Sequence, residues 1–106
     1  HAVRYMEELT YQQLIRNIAE KHTHQFSYIP MVSREACDYA IPGRIPAAIM
    51  DSKLELRAGG RIDDESHVML CGNPDMVQDT MNVLLKRGLT KHSRREPGHI
   101  SIEKYW

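Results

Sequence analysis

The sequence predicts an α/β domain built on a parallel sheet, and three observations lead there. An apolar run, Val68-Met69-Leu70-Cys71, passes directly into a helical pattern through Gly72, Asn73 and Pro74. Further strand-like runs, at the first residues, in "FSYIPMVS" and in "HISIEKYW", are separated by stretches of helical periodicity. Strands that alternate with helices form right-handed βαβ units, whose strands run parallel. The run at 68–71 is continuously apolar rather than alternating, which suits a strand buried on both faces of such a sheet.

In chain order, Ala2 and Val3 begin a strand. "LTYQQL" opens a helix, with Thr10 and Gln13 at capping-box spacing and Leu9 and Leu14 at the spacing of a hydrophobic staple. Leu14, Ile15 and Ile18 continue its apolar stripe until the polar "EKHTHQ" ends it. "FSYIPMVS" is the second strand, made imperfect by Pro30. Pro46 to about Arg57 reads as a second helix, and "AGGRIDDES" as a loop. After the strand at 68–71, Asn73 caps a helix whose first position suits Pro74, with Asp75 at the positive end of the dipole. Val77, Met81, Leu84 and Leu85 give that helix a sheet-facing side, and Gly88 stops it. "HISIEKYW" is the last strand.

The chain has 106 residues, 42% of them hydrophobic, which suits one globular domain. No run of about 18 apolar residues and no basic-then-apolar leader is present. The expectation is therefore a cytoplasmic protein with no membrane partner. Two cysteines, Cys37 and Cys71, are too few for a disulfide framework. His22, His24 and Cys37 lack metal-ligand spacing, so no metal is expected. Net charge is zero but unevenly spread: Lys86, Arg87, Lys91, Arg94 and Arg95 face only Glu96 within residues 84–99. Such a run is either a solvated face or a surface that steers an acidic protein partner. Nucleic acid is disfavoured, because no aromatic platform accompanies the basic residues.

In a parallel α/β sheet ligands bind at the carboxyl edge of the strands. Following each expected strand to its end gives Arg4, then Ser33 and Arg34, then Cys71 and Gly72, then Tyr105 and Trp106, with Arg44 in the loop that leaves the second strand. Three arginines around one edge suit a phosphate monoester, because the guanidinium fork matches its oxygens and stays charged. Arginines also sit on loops simply because loops are wet. Cys71, likewise, reads either as a small buried hydrophobe or as a group at a ligand site.

The stretches "HAVRY", "VSRE", "GRIP", "MLCGNPDMV" and "TKHSRREPGHISIEKYW" together resemble, in order and spacing from residue 1 to residue 106, the NADP(H)-binding half of bacterial ferredoxin (flavodoxin) NADP reductases. The resemblance implies a ferredoxin reductase-like, C-terminal NADP-linked domain. It also implies an oxidoreductase activity, FAD-dependent electron transfer between NADP(H) and ferredoxin or flavodoxin. In that family Arg4, Ser33, Arg34 and Arg44 match positions that hold the adenosine 2'-phosphate. Cys71 matches a cysteine beside the nicotinamide that helps to place the ring, and Gly72 and Met76 match positions close to the nucleotide. Tyr105 and Trp106 match an aromatic carboxyl terminus that covers the flavin.

The departure from the family pattern is an expected incompleteness at the N-terminus. The resemblance places a first strand, a pyrophosphate-cradling turn and the FAD-binding β-barrel ahead of residue 1, so residues 1–106 read as the nucleotide domain of a longer reductase, monomeric when full-length. The alternative is a non-catalytic module that only binds a nucleotide or a protein through Arg4, Arg34 and Arg44.

Overall fold

Hydrogen bonding in the computed structural model, which describes residues 1–104, arranges the strands in two parallel ladders. β1 (Ala2–Val3), β2 (Met31–Val32) and β3 (Ile41–Pro42) lie side by side in that order, with Val3 opposite Val32 and Val32 opposite Pro42. β4 (Val68–Gly72) pairs with β5 (Ile100–Lys104) along its whole length. Three short helices accompany the first ladder: α1 (Gln12–Lys21), α2 (Ile45–Met50) and α3 (Lys53–Ala58). The longer α4 (Pro74–Lys86) accompanies the second. The chain divides into two compact units, His1–Gly60 and Arg61–Trp106. Among the described residues no helix is long and apolar enough to cross a membrane.

The first unit is organised around β2, whose two residues point to opposite faces, as the strand period of two requires. Met31 packs with Ile41 and Ala48 on one face, and Val32 packs with Leu9 and Ala40 on the other; both β2 side chains are fully buried. Cys37 joins the Val32 cluster as a packing group. The strand buried on both faces is therefore β2. The expectation that residues 68–71 would be such a strand is not met: β4 alternates, and Met69 is 80% exposed. Its inward residues, Val68 and Leu70, lie on the face that α4 covers with Val77, Met81 and Leu84, while Leu85 turns outward.

Several local expectations are corrected in the first unit. Thr10 and Gln13 form no capping box, because a 3₁₀ turn at Met6–Glu8 takes the chain first. The reciprocal contact forms there instead, with Glu8 Oε1 accepting from Tyr5 N–H and Glu8 N–H donating to the Tyr5 carbonyl, both at 2.9 Å. Leu9 is buried against Val32 while Leu14 is 58% exposed, so the two make no staple. Of the expected Leu14, Ile15 and Ile18 stripe only Ile15 turns inward, half-buried with Gln12 and Ala19, while Leu14 and Ile18 are exposed. "FSYIPMVS" yields only Met31–Val32 as strand, because Pro30 has no N–H to donate and only its carbonyl joins the ladder, accepting from Ile41 N–H at 3.0 Å. The helix expected over 46–57 is two helices, broken where Ser52 takes a left-handed φ of 65° and Asp51 Oδ1 accepts from Lys53 N–H at 3.1 Å. An Asp-Ser pair offers the backbone this alternative to a helical bond.

The second unit follows its sequence closely. Asn73 Oδ1 accepts from Asp75 N–H at 2.8 Å, Pro74 opens α4, and Gly88 leaves it at a φ of 91°. The β4–β5 ladder is closed at its start by the loop at 91–99. There His99 Nδ1 accepts from Thr90 N–H at 2.9 Å, and the other ring nitrogen lies 2.9 Å from the Asp64 carbonyl, to which it donates. Gly98 passes so close beneath Lys91 that an added Cβ would lie 2.5 Å from the Lys91 carbonyl oxygen. Gly98→Ala should therefore destabilise the protein by about 1–3 kcal/mol, read as a lower urea midpoint. Gly60→Ala, where a Cβ meets nothing within 4 Å, should stay within about 0.5 kcal/mol. Equal midpoints for the two variants would contradict the packing of that loop.

Candidate functional site

The carboxyl edge of the β1–β2–β3 ladder is built by register alone. Ser33 N–H donates to the Val3 carbonyl at 3.0 Å, Arg34 N–H to the Arg4 carbonyl at 2.9 Å, and Gly43 N–H to the Val32 carbonyl at 3.3 Å. Continuing the register, Arg4 falls level with Ser33 and Arg34 level with Arg44, so the four leave three neighbouring segments within one residue of a common level. Adjacent strands lie about 4.8 Å apart, so those segments fall within about 10 Å of one another. Arg44 is not in a loop leaving the second strand, as its sequence context suggested, but follows β3 and stands just before α2, to whose Ala48 N–H its carbonyl bonds at 3.1 Å. β3 escaped sequence reading because it is two residues long and ends in Pro42, which only an edge strand tolerates.

All four polar residues of this edge are exposed. Among the described residues none of Arg4, Arg34 and Arg44 has an ion-pair partner. The Ser33 hydroxyl points back to the Val3 carbonyl at 3.5 Å, which keeps its oxygen at the edge. The carboxylate of Glu35, which sequence reasoning passed over, accepts from Met6 N–H and so fixes the turn that follows β1. Three free guanidiniums and a hydroxyl make a receptor for a small, highly charged anion.

The second group of expected residues lies in the other unit. Cys71 is an exposed free thiol near the carboxyl end of β4, opposite Glu103 on β5. It belongs to the outward side of β4 with Met69, so the reading of Cys71 as a buried small hydrophobe falls away. Gly72 follows at a φ of 138°, a conformation that disfavours any side chain, and an added Cβ would lie 3.0 Å from the Met76 methyl. Met76 is held in place by the Thr80 hydroxyl, which donates to its sulfur at 3.5 Å from a fully buried position. Thr80 is a positioning residue that no sequence pattern marked; its place one turn after Met76 on the buried face of α4 was the available signal. Tyr105 and Trp106 lie outside the described residues.

A parallel α/β chain whose carboxyl edge carries unpaired arginines has the form of a nucleotide-binding domain. The chain belongs to the family of oxidoreductase NAD-binding domains, whose model matches residues 1–82. Among curated proteins, it is 43% identical over 108 residues to a flavodoxin/ferredoxin–NADP reductase of Buchnera aphidicola subsp. Baizongia pistaciae, and 44% identical to the one of Escherichia coli K12. Each match takes in 100% of this chain but only 43% and 44% of the relative, so the chain spans less than half the length of these proteins. Its structure is similar, with a TM-score of 0.91 and 33% identity, to that of a ferredoxin NADP+ reductase from Neisseria gonorrhoeae with bound FAD and NADP, covering all of this chain and 43% of that one.

Proposed function

We propose that residues 1–106 form the NADP(H)-binding part of an FAD-dependent ferredoxin or flavodoxin–NADP reductase. The observation that carries this reading is the edge at Arg4, Ser33, Arg34 and Arg44, brought within one residue of a common level and, among the described residues, with none of the arginines in an ion pair. On it the adenosine 2'-phosphate is held by the guanidiniums, with the Ser33 hydroxyl turning from the Val3 carbonyl to donate as well, and this selects NADP(H) over NAD(H). The match to a reductase structure with bound FAD and NADP supports the assignment. The cofactor pair supplies hydride transfer between nicotinamide and flavin, with electrons passing singly to or from the protein carrier. FAD is held mainly by a flavin domain outside residues 1–106.

Within this reading the Cys71 thiol lies beside the nicotinamide and fixes where the ring rests. It is a positioning group and not a covalent nucleophile. Gly72 and Met76 line the same end of the nucleotide, and the terminal Tyr105 and Trp106 cover the flavin. The basic run from Lys86 to Arg95 steers the acidic carrier, ferredoxin or flavodoxin, by long-range attraction. The full-length enzyme acts as a cytoplasmic monomer.

Two substitutions in the full-length enzyme test these roles. Arg34→Ala should weaken NADPH at least about tenfold while leaving NADH nearly unchanged, since a charge-assisted contact to the 2'-phosphate is worth about 1.5–3 kcal/mol. Steady-state KM and direct binding for both cofactors check this, and equal losses would remove the assignment. Cys71→Ala should lower the single-turnover hydride rate with little change in NADP+ affinity, the split expected of a group that orients the reacting ring. Bound NADP+ should also shield Cys71 from iodoacetamide, and labelling at an unchanged rate would place the thiol away from the nicotinamide.

A further inference from the structure

The first unit holds a second concave feature, at the amino ends of β2 and β3 and so on the side away from the arginine edge. It is a groove of about 450 Å³ between α1, the segments leading into β2 and β3, and the last turn of α3. Its polar walls are Arg16 and Glu20 from α1 and Arg57 from α3; Tyr28, Pro30 and Tyr39 supply flat apolar surface. The Arg16 guanidinium lies 5.0 Å over the Tyr39 ring and donates to Gln12 Oε1 at 3.1 Å, while Arg57 Nη2 donates to the Tyr39 carbonyl at 2.7 Å. A guanidinium carries five N–H donors, so both keep free ones.

Tyr28, one of the lining residues, supplies an independent sign: its hydroxyl is buried and, among the described residues, has no hydrogen-bond partner. Buried polar groups are almost always paired, and one without a protein partner is a place that a bound water, ion or ligand completes. Burial pushes this phenol above its ordinary range; the Arg16 guanidinium offsets part of that rise, and the neighbouring Tyr39 phenol adds to it. Two guanidiniums against Glu20 leave the walls with one net positive charge, which suits a monoanion better than a dianion. The planar guanidinium fork matches a carboxylate, and two phenol rings with a proline between them match a flat ring.

We propose that this groove binds a small aromatic carboxylate, its ring laid on Tyr28, Pro30 and Tyr39 and its carboxylate taken by Arg16, Arg57 and the Tyr28 hydroxyl. The site is separate from the nucleotide edge and serves a second, regulatory or substrate-like ligand of that class. Its occupant satisfies the Tyr28 donor and stacks where Arg16 now covers Tyr39.

Titration of the full-length protein with benzoate tests this, followed by calorimetry and by the NMR signals of the arginine Nε–H groups. Benzoate should bind saturably, with a Kd of about 1 mM or tighter, and acetate and inorganic phosphate at least about tenfold more weakly. Arg16→Gln and Arg57→Gln should each weaken benzoate at least about tenfold, with NADPH-to-ferricyanide turnover unchanged. Because Arg57 also ties down the Tyr39 backbone, Tyr28→Phe is the second arm: it should weaken benzoate several-fold while leaving the thermal midpoint equal or higher, since it removes a hydroxyl that nothing pairs. Absence of saturation, equal binding of acetate or phosphate, or benzoate affinity untouched by Tyr28→Phe would each overturn the proposal.

Discussion

Backbone hydrogen bonds between Ala2–Val3, Met31–Val32 and Ile41–Pro42 hold three segments in parallel register, and the charged edge depends on that register. A one-residue slip in any strand would turn its side chains to the other face. Here the slip would also expose Met31 or Val32, both fully buried, and tear apart the two clusters built on them. The apolar cost of exposing either side chain is about 1.5–3 kcal/mol. The same packing that stabilises this unit therefore fixes the level at which Arg4, Arg34 and Arg44 emerge. Parallel ladders point every carboxyl end the same way, so three like charges are brought to one edge, none of them in an ion pair among the described residues.

That arrangement is unfavourable for the protein alone. Three guanidiniums carried by neighbouring segments, none in an ion pair among the described residues, repel one another, and solvent screening only softens this. A bound phosphate reverses the sign of the interaction, which is the usual reason for a fold to keep such an edge. The second unit is simpler in this respect. Its fixed points are the Asn73 cap and Gly72 at a φ of 138°, which set where β4 ends and the helix begins. Cys71 owes its exposed position to the alternation of β4.

Legibility in the sequence followed the strength of the local signals. The Asn73-Pro74 start and the Gly88 stop of α4 were readable because capping, a preset φ and a left-handed exit each use a distinctive residue. Arg4 and Arg34 were readable because strand ends locate themselves even when strand lengths do not, whereas Arg44 was put in the wrong connection because β3 was not seen. β3 was not readable, since two residues ending in proline give no periodicity to detect. The capping of α1 was misassigned because Thr10–Gln13 and Tyr5–Glu8 offer competing turns, and Leu9 gains more by burial against Val32 than by a staple with Leu14. The alternation of β4 was hidden by its composition: Met69 and Cys71 are apolar by type yet face outward. The groove under Arg16 and Arg57 brings together residues up to 41 positions apart, which no local pattern reveals.

The central claim is that the carboxyl edge of the first ladder recognises a ribose phosphate rather than the adenosine itself. Calorimetric titration of the protein with adenosine 2',5'-bisphosphate and with adenosine 5'-monophosphate, at low and at high salt, tests it most directly. The 2'-phosphate should tighten binding at least about tenfold, and that advantage should shrink as salt screens the guanidiniums. Equal affinities for the two nucleotides, or an advantage indifferent to salt, would contradict the account.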